Sequence, residues 1–112
     1  MITEYDICLQ VGLEREEYDE DDEVRSQVDR ILGVCESTLR GAVGGSEADG
    51  LLDDPRAEQL MLQMAGDAWE QRKTTVERVT QKVWASLSRF SSDLMTQLRC
   101  EYGYPAEGGD AP

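Results

Sequence analysis

The side chains in this sequence with the greatest capacity for chemistry are carboxylates. Between Glu14 and Glu23, eight of ten residues are acidic, a density that suits divalent-cation binding, acid–base work by a carboxylate pair, or a solvated surface. Spacing decides against the cation. An EF-hand loop alternates its ligands, turns at a Gly in the sixth position and closes with a distal Glu. Asp19-x-Asp21-x-Glu23 begins such an alternation, but Val24 stands where the Gly is needed, so no metal site is expected. Catalysis lacks its usual parts as well. There is no His, which removes the commonest general base and metal ligand together. No Gly-rich loop joins a strand to a helix, and no Ser or Cys stands in a nucleophile setting. Carboxylate pairs arise by composition in so acidic a chain and read as solvated surface. The expectation is a chain that is not an enzyme and takes no cofactor.

Lys and Arg total 11 against 24 Asp and Glu, a formal charge of −13. That balance opposes sequence-independent attachment to phosphate backbones or anionic lipid, and suits solubility, a basic partner, or a surface that DNA must pass without sticking. Cys8, Cys35 and Cys100 are odd in number and far apart, unlike a disulfide framework or a CxxC-type metal site, so all three are expected to be reduced. Cys8 and Cys35 fall on apolar stripes and read as small core residues. No apolar run approaches membrane-spanning length, and the N-terminal residues lack signal-peptide character. The chain is expected to work in a cytoplasm-like compartment.

The elements that must position these groups are helical. The central one opens at Asp53-Asp54-Pro55-Arg56: Asp54 can accept from the first free amides, and Pro55 suits the first helical position. Ala57, Leu60, Met61, Met64, Ala65 and Ala68 then recur at the spacing of one buried face, with Arg72 and Lys73 at the cation-favouring end of a helix over residues 54–73. Leu62 and Trp69 lie off that stripe and form a second apolar strip, facing another helix or a neighbouring subunit. Ahead of it, Thr3 and Asp6 are spaced as a capping box for a short helix over residues 3–11 that Gly12 ends. The acidic run reads as a loop leading into a helix start, with Asp21, Asp22 and Glu23 in a capping role. Val24, Val28, Ile31, Leu32, Cys35 and Leu39 give an amphipathic helix over residues 22–42, stopped by Gly44-Gly45.

After Lys73 two local rules conflict. Thr74, Thr75, Val76, Val79, Thr80 and Val83 are β-branched and favour extended backbone. Val76, Val79, Val83, Leu87, Phe90, Leu94 and Leu98 keep a heptad rhythm and favour helix. Ser91 and Ser92 look like a fresh cap for a last helix over residues 91–102, and Gly103-Tyr104-Pro105 ends it. The expectation is one all-α domain over residues 1–104, a bundle of three to four helices, followed by a flexible tail over residues 105–112. Trp69, Trp84, Phe90, Tyr102 and Tyr104 all lie in the second half, interspersed with Arg72, Arg89 and Arg99. Trp, Tyr and Arg dominate protein interfaces. Phe90 reads as core, whereas Trp84 and Tyr104 suit a partner surface as well as burial.

The order of these features resembles the head-tail connector proteins of long-tailed bacteriophages, also called portal adaptors or head-completion proteins. The shared features are a short first helix, an Asp-Asp turn, an amphipathic helix, a Gly turn, and Asp54-Pro55-Arg56 opening a helix that runs to Trp69-Glu70-x-Arg72. Ser91-x-Asp93-Leu94-x-x-Gln97-Leu98-Arg99 completes the series, so the likeness spans about Thr3 to Tyr102. It implies an all-α subunit forming a ring, typically of twelve, beneath the portal protein after genome packaging, with an irregular arm between the central and last helices. The ring would extend the DNA channel and dock the next neck, stopper or tail-completion protein. Such a subunit would be found in the virion neck, and in the host cytoplasm during assembly, with no membrane contact. On this reading Leu62, Trp69, Arg72, Trp84, Arg89, Arg99, Tyr102 and Tyr104 are interface candidates. Glu16, Glu17, Asp19, Glu20, Asp21 and Asp22 form an acidic lumen or surface that lets DNA slide past. Two other functions fit the composition: an acidic DNA mimic that inhibits a host defence nuclease, and a helical regulatory subunit that binds a basic peptide.

Overall fold

The computed structural model describes residues 1–44, 50–89 and 92–102, and it is all-α. Thr3 opens α1 (Glu4–Val11): its hydroxyl accepts the Asp6 amide at 3.3 Å while the Asp6 carboxylate accepts the Thr3 amide at 2.7 Å. Gly12, at φ 83°, ends it in the left-handed conformation that a Cβ disfavours. Ile7 and Cys8 face inward, whereas Leu9 is exposed.

The acidic run departs from expectation, because it is not a loop. Arg15–Glu20 forms a short helix, α2, with the Glu17 carboxylate accepting the Glu14 amide at 3.1 Å. Six residues do not hold a helix by themselves, and aromatic contacts supply the support. Tyr18 is buried edge-on to Tyr5 with ring centroids 5.4 Å apart, and its hydroxyl donates to Asp29 at 2.7 Å. The Arg15 guanidinium lies 3.8 Å from the centre of the Tyr5 ring. Asp21 then caps α3 (Asp22–Val43) by accepting from the Glu23 and Val24 amides. The α3 stripe Val28, Ile31, Leu32, Cys35, Leu39 and Val43 is buried, and Gly44, at φ 89°, closes the helix.

After a 3-10 turn at Leu51–Asp53, α4 (Pro55–Ala68) runs through the middle of the molecule and packs on α1, α3 and the two later helices. Its buried face is the expected one: Ala57, Leu60, Met61, Met64, Ala65 and Ala68. The α-helix stops at Ala68, short of the expected residue 73, and tightens into a 3-10 turn, Trp69–Gln71.

The segment beyond it is a regular helix, α5 (Val76–Ser88), and not an irregular arm. Thr75 caps it by accepting the Arg78 amide at 3.2 Å. Val79, Val83, Ser86 and Leu87 are buried against α3 and α4. Each β-branched residue costs a helix only a few tenths of a kcal/mol, roughly 0.5. Burying a Val side chain returns about 1.5 kcal/mol or more, so the heptad rhythm prevails. Ser86 fixes the register, its hydroxyl donating to Asp67 at 2.6 Å. The last helix, α6 (Ser92–Tyr102), buries Met95 and Leu98. Among the described residues six α-helices thus stand where three to four were expected. The expected core role of Phe90, the cap at Ser91 and the tail over residues 105–112 lie outside the described residues.

The start of α4 and the end of α6 meet at Asp54. Its carboxylate caps α4 through the Arg56 amide at 2.9 Å, receives the Arg56 guanidinium at 2.9 and 2.7 Å, and accepts the Tyr102 hydroxyl at 2.8 Å. Arg56 reaches on to Gln97 and Glu101. The Arg56 guanidinium, above all, holds the Asp54 carboxyl well below the usual carboxylate range, with the Arg56 amide and the Tyr102 hydroxyl adding to it. A lowered carboxyl stabilises the fold fully above its unfolded value, and that contribution is lost as the pH falls from the ordinary 3.8 toward the folded value. Asp54→Ala is expected to lower the unfolding free energy by about 1–2 kcal/mol, the range for a lost helix cap. Asp54→Asn keeps the cap, and should cost less at neutral pH while flattening the acid limb of stability; urea titrations from neutral to acid pH read both.

Cys8 and Cys35 are buried and Cys100 is exposed, all three as free thiols. Burial, with Glu36 nearby, pushes the Cys35 thiol up to about 12. A thiol reagent at neutral pH is expected to modify one cysteine of the folded chain quickly, Cys100, and the other two only on denaturation. Mass mapping of the labelled peptides checks it.

Candidate interaction surface

The eight residues expected at an interface do not form one patch. Leu62 on α4 and Trp69 in the following turn are both partly buried against the core, so the second apolar strip is largely covered by the subunit itself. The Arg72 guanidinium lies 4.5 Å from the centre of the Trp69 ring and donates to the Trp69 carbonyl at 3.0 Å. Arg89 pairs with Asp67 at 2.7 Å, joining the end of α5 to α4. Arg99 donates from Nε to the Ala42 carbonyl at 3.0 Å, satisfying an orphan acceptor in the last turn of α3. Tyr102 is engaged with Asp54. Tyr104 lies outside the described residues.

Trp84 is different. It stands on the outer side of α5, 47% exposed, and lines two open grooves. One runs between α3 and α5, about 510 Å³ in volume, with Asp29, Arg30, Gly33 and Val34 facing Val76 and Thr80. The groove is roomy at Gly33, where an added Cβ would meet nothing within 4 Å. The other lies where α3, α5 and α6 converge, lined by Ala42, Leu87, Met95 and Arg99. Trp84 and Arg99 therefore share a surface. Arg30, Gly33, Val34 and Val76 were not singled out from the sequence. Their signal was weak: Val34 falls outside the buried stripe of α3, Val76 counted toward the heptad stripe yet is exposed, and a Gly in mid-helix often has a packing or functional reason.

The acidic candidates do gather. Glu16, Glu17, Glu20, Asp21 and Asp22 line one open depression formed by α2 and the start of α3. Asp19 is withdrawn from it, accepting the Tyr5 hydroxyl at 2.8 Å and raising that phenol above its ordinary value. Among the described residues, no group of three or more carboxylate or thiol side chains is arranged to hold a metal ion. No helix of the described residues is long and apolar enough to cross a membrane.

Charge is divided along the chain. Residues 1–70 carry nineteen acids and five bases, whereas residues 71–100 carry six bases and two acids. The formal charge is therefore negative over the N-terminal helices and positive over α5 and its flanks. Comparison with known protein families, with curated proteins and with solved structures finds no match to this chain.

The two Trp residues thus have different surroundings. Trp69→Ala is expected to cost about 2 kcal/mol, roughly half the value for a fully buried Trp. Trp84→Ala should stay within about 0.5 kcal/mol of the parent, as exposed substitutions do. Paired thermal melts check it; equal losses would mean that Trp84 belongs to the fold.

Proposed function

We propose that this chain is a structural adaptor subunit that assembles as a ring, in the manner of the phage head-tail connectors it resembles, and that it carries out no catalysis. The observation that carries the proposal is Trp84, a large aromatic left half-exposed between two grooves on an otherwise well-packed helical subunit. Such an anchor is the kind of side chain that dominates the energy of protein contacts.

The motifs behind the resemblance support the reading by standing at structural joints. Asp54-Pro55-Arg56 opens α4 and holds the end of α6, and Trp69-Glu70-Gln71-Arg72 closes the central helical segment with a cation over the indole. The regular α5 is a departure from the irregular arm that the family implies. In the proposed assembly about twelve copies surround a DNA channel below the portal protein, and their outer end receives the next neck or tail component. A surplus of carboxylates in every copy keeps the channel wall from gripping phosphate. The subunit would then be found in the virion neck.

The DNA-mimic alternative requires carboxylates from several elements on one face at phosphate-like spacing. Here the clustered acids come from a single stretch, Glu16 to Asp22, and α5 presents the opposite sign. The adaptor reading is preferred for that reason.

Light scattering of the chain alone and mixed with its cognate portal protein tests the proposal. The expected outcome is a ring-sized species, formed alone or on the portal. A chain that stays monomeric and ignores the portal would refute it.

A further inference from the structure

We infer that the Trp84 face of α5 receives the acidic α2 region of a second copy of this chain, so that copies join head to tail through two unlike surfaces. The inference deepens the adaptor reading and rests on it for its biological setting, while its physical argument stands on charge and exposure.

The first observation is cation outside any ion pair. Acids outnumber bases more than two to one, so an exposed Lys or Arg has no shortage of carboxylates to meet. Yet among the described residues several bases take part in no ion pair: Arg15 and Arg72, which lie over the Tyr5 and Trp69 rings, and Arg30, Lys73, Arg78, Lys82 and Arg99, of which Arg30 and Arg99 donate to the Thr74 and Ala42 carbonyls; the last five belong to α5 or to the segments beside it. Arg30 and Arg99 lie in the two grooves that flank Trp84. Val76, 52% exposed, extends the apolar part of the surface. An aromatic anchor with an arginine in the groove on either side has the composition of a contact for an acidic partner.

The second observation is where such a partner is found. The chain's own densest negative surface is the depression lined by Glu16, Glu17, Glu20, Asp21 and Asp22, in which only Asp22 is ion-paired among the described residues, to Arg25 at 3.0 Å. Within one subunit α2 packs on α1 and α3, whereas α5 packs mainly on α4 and α3, and no described ion pair joins the two regions. The match between them is therefore met between copies. Because the surfaces differ, the contact is heterologous and leaves one free surface of each kind at every step, which is the condition for a ring or an open filament. The contact also assigns the α2 carboxylates to the seam between subunits rather than to the channel. Two chains of like net charge repel at long range, but near physiological ionic strength that repulsion fades beyond about 8 Å, while charges in contact still attract.

The test is sedimentation velocity on four samples of the full chain near physiological salt: the parent, Arg30→Glu with Arg99→Glu, Glu16→Gln with Glu20→Gln, and an equimolar mixture of the two variants. The parent is expected to grow beyond a dimer with concentration. Each variant alone should associate at least about tenfold more weakly, the loss of one favourable charge contact. The mixture should form a one-to-one dimer and stop, since each partner supplies one intact surface and one spoiled one. Circular dichroism checks that the variants fold. Should the arginine variant lose helix, Trp84→Ala replaces it, with weaker association of the parent type as the expected result. Variants that associate like the parent, a mixture that stays monomeric, or a parent that stops at a dimer would overturn the contact and leave the adaptor reading standing. A parent monomeric at every concentration also overturns it, and portal binding then decides the adaptor reading separately.

Discussion

Four of the other five helices pack on α4, and the arrangement depends on how closely they can approach it. Its inward face alternates small side chains, Ala57, Ala65 and Ala68, with the adaptable ones Leu60, Met61 and Met64. The alanines let neighbouring backbones come near, and the unbranched thioethers fill the irregular space between them. One carboxylate then sets where this helix begins. Asp54 accepts the Arg56 amide, the Arg56 guanidinium and the Tyr102 hydroxyl at once. The start of the central helix and the end of the last are thereby defined by the same two oxygens. A slip of either helix would leave a nearly buried charge with fewer partners, which is costly.

Outside that core, polar groups divide into two kinds. Asp67, Asp29 and Asp19 each accept a hydroxyl or a guanidinium that a neighbouring helix delivers, and so help fix the spacing of α5, α3 and α2. Within the α2 depression Glu17 and Asp21 cap helices, but Glu16 and Glu20, like Lys73, Arg78 and Lys82 around α5, join no two helices of the subunit among the described residues. A fold of this size has no need of them for stability, since exposed charges contribute little. Their segregation onto separate surfaces gives the molecule a direction, and directional subunits build polar assemblies.

Much of this was legible in the sequence because it is local. The Thr3–Asp6 cap, the α3 stripe and the six inward residues of α4 follow from spacing alone. α5 was undecidable because two local rules opposed each other at the same residues, and the answer came from burial against α3 and α4, which spacing does not measure. α2 was missed for a related reason: its helix depends on Tyr5, Arg15 and Asp29, none of which marks a helix locally. The interface candidates followed the same division. Trp84 lies off the buried Val79–Val83–Leu87 stripe and is exposed. Arg99 and Tyr102 have the right chemistry for a partner, but their partners, Ala42 and Asp54, lie 57 and 48 residues away in the same chain.

The anchoring of α2 by a single buried ring has a dynamic consequence. Tyr18 is the one residue of that helix inside the core, so withdrawing it releases the whole element while α3 to α6 keep their packing. Local opening of this kind lies at the low end of the free-energy scale within a native protein, and amides there exchange with solvent ahead of those in α4. A highly charged part of the surface is therefore tied to the core through a single buried ring. It can settle its carboxylates one by one against a facing array of cations, a hinged strip fitting itself to a fixed template.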